Sequence, residues 1–161
     1  MRQAAPAPGG LGSIFTVFPL ILIPVITYNL WAFAASAGHE TAQEISAHFL
    51  TQLQNFEHPL LNVPMASGSH WVMTAGDGLV LISILLLFIE MLKSTSTGSA
   101  AIFNHALSML VFIICLVEFL LHPAFSTSVF FVIMIISLLD VLAGVVVTII
   151  SARRDVEFAG Q

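Results

Sequence analysis

"SVFFVIMIISLLDVLAGVVVTII" (residues 128–150) holds a single charged side chain, Asp140, in a run that is otherwise apolar, small or hydroxylated. A helix needs about 20 residues to cross the roughly 30 Å hydrocarbon core of a bilayer, and this run is long enough. The rest of the chain argues against a soluble core helix. Of its 161 residues 8% are charged and 58% hydrophobic, and the mean hydropathy is +1.00, whereas a soluble domain carries about 25% charged residues. The chain reads as a membrane protein.

Working outward, stretches of similar character lie at 13–35, 72–93 and 101–122, and the opening run extends over 127–152. The connections 94–100 ("STSTGSA") and 123–126 are short, so the last three helices are expected as antiparallel neighbours. Residues 1–12 and 153–161 form tails, and 36–71 is a longer polar segment. The expected fold is all-α: a polytopic integral membrane protein, a four-transmembrane-helix bundle with an outer amphipathic helix between helices 1 and 2. Lys and Arg stay on the cytoplasmic side of a membrane. Arg2, Lys93, Arg153 and Arg154 all fall on one side of this arrangement, and 36–71 and 123–126 contain none. Both termini are therefore expected in the cytoplasm, with Trp31 and Trp71 at interfacial depth beside the outer segment. Ala35-Ser36-Ala37 offers a competing signal-peptide cleavage site. Against it, the preceding apolar stretch exceeds the usual core and contains Pro19 and Pro24.

Within the outer segment, Ile45, Phe49, Leu53 and Phe56 recur at a spacing near four, which predicts one apolar face of a helix over 40–57. Pro59 ends it, and Pro64 and Gly68 mark a loop. Such a helix either lies as a lid over the bundle mouth or docks another membrane protein. His39, His48, His58, His70 and His122 all fall on the outer side, with His105 near the inner one. Glu44 with His48, and Glu118 with His122, share helical faces and have the chemistry of metal ligands. No HExxH or paired HxH accompanies them, so Glu118 and His122 are weak candidates and no metal site is expected.

Five ionisable residues lie within the spans: Asp77, Glu90, His105, Glu118 and Asp140. Folding the second and third spans about Gly98 sets Glu90 level with His105 in an inner layer and Asp77 level with Glu118 in an outer one, at about 1.5 Å rise per residue. Glu90 and His105 are expected to pair, with Lys93 as an alternative partner for Glu90. Asp77 and Glu118 are expected to share a proton or attract a cation. Asp140 falls between the layers. Members of different layers stand about 140° apart around their helix, so the layers do not form one continuous wire.

Ser137, Asp140, Gly144, Thr148 and Ser151 follow a three-four spacing along one stripe of the fourth span. Small and polar residues so arranged favour close helix packing and interhelical hydrogen bonds. The third span has a matching stripe of Ala101, His105, Ser108 and Cys115, and the second has Gly76, Ser83 and Glu90. Asp140 is therefore expected to face protein. There it either fixes packing through Ser137 or a backbone carbonyl, handles protons or cations, or meets a partner's helix. The lone Cys115, inside an apolar run, is expected to act as a small packing residue.

With four basic residues the chain has no nucleic-acid footprint. No GxSxG, Walker or zinc-protease signature is present, so no catalytic residue is expected. Haem ligation between facing helices lacks the histidines, and no cofactor is expected. Set side by side, "LFIEMLKSTSTGSA" (87–100), "SLLDVLAG" (137–144) and "ISARRD" (150–155) make residues 72–155 resemble a group of uncharacterised four-span bacterial inner-membrane proteins. That resemblance implies a bacterial inner membrane and transfers no activity. The expected role is a non-enzymatic accessory or interaction subunit whose partners are the lipid bilayer and another membrane protein or a second copy. The alternative is a proton- or cation-coupled transporter working through the buried carboxylates. The orientation has a direct test: a cysteine replacing Gln54 should react with an impermeant thiol reagent added outside, and one replacing Ser96 should not.

Overall fold

The computed structural model describes the backbone of residues 17–93 and 99–159, and the side chains of these other than 99–102, 148 and 151–159. The N-terminal tail, most of the 94–100 loop, and the side chains of Ala101, Thr148, Ser151, Arg153 and Arg154 lie outside the described residues. Five α-helices and one small hairpin are present among them: α1 (Leu22–Ser36), α2 (Ala42–Leu53), β1 (Leu61–Pro64), β2 (His70–Met73), α3 (Ala75–Lys93), α4 (Ser99–Leu121) and α5 (Ser128–Ala159), with a single 3-10 turn at Pro123–Phe125 before α5.

Three helices are apolar and long enough to cross a membrane, within Ala75–Lys93, Phe103–Leu121 and Ser128–Val147. This identifies the chain as a membrane protein by length and composition. The described part of the stretch 13–35, from residue 17 on, does not form a fourth helix of that length. Its longest helix is α1, of 15 residues, spanning about 22 Å. The shortening originates at Pro19, which lacks an N–H and opposes helix in the residue before it. Around it the chain turns, with Leu22 N donating to the Pro19 carbonyl and Ile23 N to that of Leu20. Pro24 is tolerated because it sits in the first turn of α1, where no intrahelical donor is needed. At its far end α5 continues past residue 152 as helix, so the expected tail begins inside it.

Helix starts follow from side-chain caps. Thr41 Oγ1 accepts Glu44 N at 3.3 Å ahead of α2. Thr74 and Asp77 form a reciprocal box ahead of α3: Asp77 Oδ2 accepts Thr74 N at 2.9 Å, and Thr74 Oγ1 accepts Asp77 N at 3.4 Å. Thr127 Oγ1 accepts Phe130 N at 3.1 Å ahead of α5. α2 ends at Leu53, short of Pro59, because Asn55 Oδ1 takes the N–H groups of Glu57 and His58 and turns the chain. Phe56 therefore leaves the apolar face and stands exposed, while Phe49 and Leu53 are buried.

The segment 61–73, expected as loop to residue 71 and as the start of the 72–93 span beyond it, is an antiparallel hairpin pairing Leu61 with Met73 and Val63 with Trp71. Its turn closes through Met65 N on the Ser69 carbonyl and uses Gly68 at a φ of +82°, a conformation glycine adopts without strain. Alternation puts Leu61, Val63, Trp71 and Met73 on one face, and the Asn62–His70 side-chain bond (2.8 Å) on the other.

In the helical layer α5 packs against both α3 and α4 and lies between them, while α3 and α4 approach one another little along their lengths. The expectation that consecutive spans would all be side-by-side neighbours holds for α4 and α5, but α5 displaces α4 from α3. Its narrow positions explain this: Val129 fits against Gly76 of α3, and Gly144 against His105 of α4. The other end of the bundle is closed by Tyr28, fully buried on α1. Its ring lies 4.7 Å from Phe130, 5.2 Å from Phe49 and 5.5 Å from Phe125. Its hydroxyl donates to the Ala124 carbonyl at 3.0 Å and meets Thr127 Oγ1 at 2.6 Å. One side chain thus joins α1, α2, the 3-10 turn and the start of α5. Trp31 adds a second tie to α2, donating Nε1–H to Gln52 at 2.7 Å. Tyr28→Phe keeps the ring and strands the buried Ala124 carbonyl, so it should cost roughly 1–3 kcal/mol, read as a lowered midpoint of unfolding in mixed micelles.

Candidate functional site

Polar side chains in the helical layer fall into two groups, neither arranged as depth matching alone suggests. The larger group surrounds Glu90, which is 1% exposed near the end of α3. Its Oε2 accepts the backbone N–H of Leu20 at 2.8 Å, and its Oε1 accepts Asn104 Nδ2 at 2.5 Å. Lys93, one turn on, approaches both carboxylate oxygens at 2.8 and 3.0 Å and also donates to the Phe18 carbonyl at 2.8 Å. The expected Glu90–His105 pair does not form. Residues 104 and 105 stand about 100° apart on α4, and it is Asn104 that faces Glu90. The alternative partner, Lys93, is engaged.

His105 turns instead toward α5, its ring filling the space where a side chain at Gly144 would stand. Both ring nitrogens are buried without a hydrogen-bond partner, and so is Asn104 Oδ1. Asp140, 4% exposed, accepts the Ser108 hydroxyl at 2.5 Å. Its partner is therefore across the helix interface on α4, while Ser137 Oγ, expected as its neighbour, donates to the Met134 carbonyl at 2.7 Å. Ser108 is four residues beyond Asn104, about 6 Å outward along α4. Asp140 accordingly belongs to the inner group, within electrostatic reach of Glu90, His105 and Lys93. Ser137 and Gly144 are buried with it, and Cys115, also fully buried, meets the Ser137 hydroxyl. On α3, Ser83 is buried and donates to the Leu79 carbonyl.

The second group lies near the other end and is not an Asp77–Glu118 pair. Asp77 is exposed and spent on the Thr74 cap, its Oδ2 also accepting Thr74 Oγ1 at 2.7 Å. The sequence T-A-G-D at 74–77 carries that signature. Glu118 accepts Asn29 Nδ2 of α1 at 3.2 Å. His122, expected as a weak metal candidate with Glu118, uses Nδ1 to accept Ala124 N at 3.3 Å and caps the 3-10 turn. Glu44 and His48 likewise do not pair: His48 meets Gln52 at 2.9 Å, and its ring lies 4.6 Å from that of His39. Among the described residues no three His, Cys, Asp or Glu side chains converge as a metal site.

The residues that sequence reading overlooked are uncharged: Asn29, Asn104, Tyr28 and the backbone of residues 18–20. Counting ionisable groups passed over the two amides, although an asparagine inside an apolar run signals an interhelical hydrogen bond by the same logic. Comparisons with protein families, characterised proteins and solved structures find no match to this chain. Chemically, the arrangement holds helices together through buried acceptors, and among the described residues the fully buried side-chain atoms without a partner belong to Asn104 and His105. The His105–Gly144 contact has a double-variant test. Gly144→Ala places a methyl in the imidazole and should lower the detergent melting temperature, whereas adding His105→Ala should recover most of that loss. Additive losses would disprove the contact.

Proposed function

We propose that the chain is a non-enzymatic accessory or interaction subunit of a larger complex in a bacterial inner membrane. In this reading α1 and the turn before it complete a fourth crossing, α2 and the hairpin lie on the outer side, and both termini face the cytoplasm. The distribution of basic residues supports that orientation. One observation carries the functional reading: three acids of the described helices are each tied to a neighbouring helix or segment of their own chain. Glu90 is held by Leu20, Asn104 and Lys93, Asp140 by Ser108, and Glu118 by Asn29. These are the contacts of a scaffold, and the Glu90 and Glu118 groups stand about 21 Å apart along α4, counted from Asn104.

A second reading is favoured by the partnerless nitrogens of His105, within electrostatic reach of Asp140, and by the partnerless Asn104 Oδ1. Buried polar atoms without partners mark sites for water or an ion, and a proton- or cation-coupled transporter would use them. Purified protein in liposomes loaded with a pH-sensitive dye separates the two. A scaffold should leak no faster than empty liposomes under an imposed gradient, and Asp140→Asn should leave that rate and the fold unchanged. In native membranes, photo-crosslinkers replacing the outward-facing Leu85 and Phe88 of α3 (54% and 60% exposed) should form a discrete adduct with another protein. Flux in the wild type that Asp140→Asn abolishes would replace the accessory reading with the transport one.

A further inference from the structure

Between α1 and α4 runs a groove of about 350 Å³. Its walls are apolar, from Leu22 and Val111 at one end through Ile26 and Ile114 to Phe33, and Ile26, Phe33 and Ile114 are 45–54% exposed on the outside of the bundle. The helices run parallel here, and the groove extends about 16 Å from the level of Leu22 to that of Phe33. Its polar end is built by Glu118 and Asn29, both of which line it. Asn29 Nδ2 donates to the Val25 carbonyl and to Glu118 Oε2. Glu118 Oε1 has no hydrogen-bond donor among the described residues.

A carboxylate oxygen at the edge of hydrocarbon without a donor is costly, and among the described residues no cation lies beside it. Lys93 is engaged with Glu90 and Phe18 about four helical turns away, and the sequence between residues 94 and 152 contains no Lys or Arg at all. His122, one turn beyond, has Nδ1 occupied as an acceptor. A counter-charge for ionised Glu118 is therefore one that a ligand brings, and the groove fits a ligand apolar along most of its length with a donating cation at one end. We propose that this groove binds a membrane lipid whose headgroup carries a primary ammonium, its acyl chain against Ile26 and Ile114 and its N–H donors on Glu118 Oε1. The proposal rests on the membrane placement of α1 and not on the accessory role.

Nanodiscs of equimolar phosphatidylethanolamine and phosphatidylcholine, with matched acyl chains, test it by mass spectrometry of the lipid retained on the released protein. The primary ammonium donates hydrogen bonds and the quaternary one cannot. Wild type should retain phosphatidylethanolamine over phosphatidylcholine by about tenfold, the scale of one charge-assisted hydrogen bond. Glu118→Gln keeps an acceptor for Asn29 and should bring the ratio to unity. Ile26→Trp fills the groove with Glu118 intact and should do the same, which decides the matter if the Gln variant does not fold. Equal retention by wild type, or a preference surviving in the folded variants, would overturn the proposal. A soluble-amine site would show ethanolamine competing off the lipid at millimolar concentration, and that outcome also overturns it.

Discussion

Hydrocarbon offers no hydrogen bonds, so a helix interrupted near a membrane must have its freed backbone groups satisfied from within the protein. Here Pro19 makes the interruption, and one acid–base pair repairs it. Glu90 receives the N–H of Leu20, and Lys93 supplies a donor to the carbonyl of Phe18. The pair costs desolvation on both sides, which an isolated ion pair recovers poorly. It is favourable in this setting because the carboxylate also receives Asn104 and the ammonium bonds a carbonyl that would otherwise be bare. The start of α1, the end of α3 and the start of α4 are fixed to one another by this contact. Everything at that end of the bundle is registered from it.

Tyr28 is the counterpart at the opposite end. The 3-10 turn before α5 also leaves a carbonyl, that of Ala124, without a regular partner, and a phenol hydroxyl from α1 closes it. Both ends thus follow one rule: where the chain departs from α-helix, a side chain from another element supplies the missing hydrogen bond. The apolar packing in between needs no such device. It depends on narrow side chains of α3, α4 and α5 meeting across two interfaces, with Ser108 bonded to Asp140 in one of them.

Much of this was legible in the residues. The apolar runs gave the long helices, and the small-residue stripes marked faces that are buried: Ser137, Asp140 and Gly144 on α5, Ser108 and Cys115 on α4, Ser83 and Glu90 on α3. The partners were not legible. Matching depth across a loop assumes that helices adjacent in sequence are adjacent in space, and α5 between α3 and α4 breaks that assumption. It also leaves open which of two consecutive residues faces inward, so Glu90 was matched to His105 and not to Asn104. Asp77 lies in an apolar run and so reads as an intramembrane acid, although Thr74 three residues earlier makes it a cap. Pro64 and Gly68 read as loop residues and so hide the hairpin, in which one ends a strand and the other makes the turn.

The central position of α5 bears on the order in which the protein is made. Ribosomes deliver α3 and α4 to the bilayer first, when the helix that separates them does not yet exist. Until residues 128–150 emerge, the Ser108 hydroxyl has no acceptor from α5, and Cys115 and Ser83 have lipid or each other's helix for company. A hairpin of α3 and α4 alone is free to close on itself through these same faces. In the finished fold the last helix lies between the two earlier ones, so a lone α3–α4 hairpin and the complete bundle cannot share one packing of these faces. Among the described residues Glu90 and Asn104 bond that pair near one end, and beyond it α5 stands between the two.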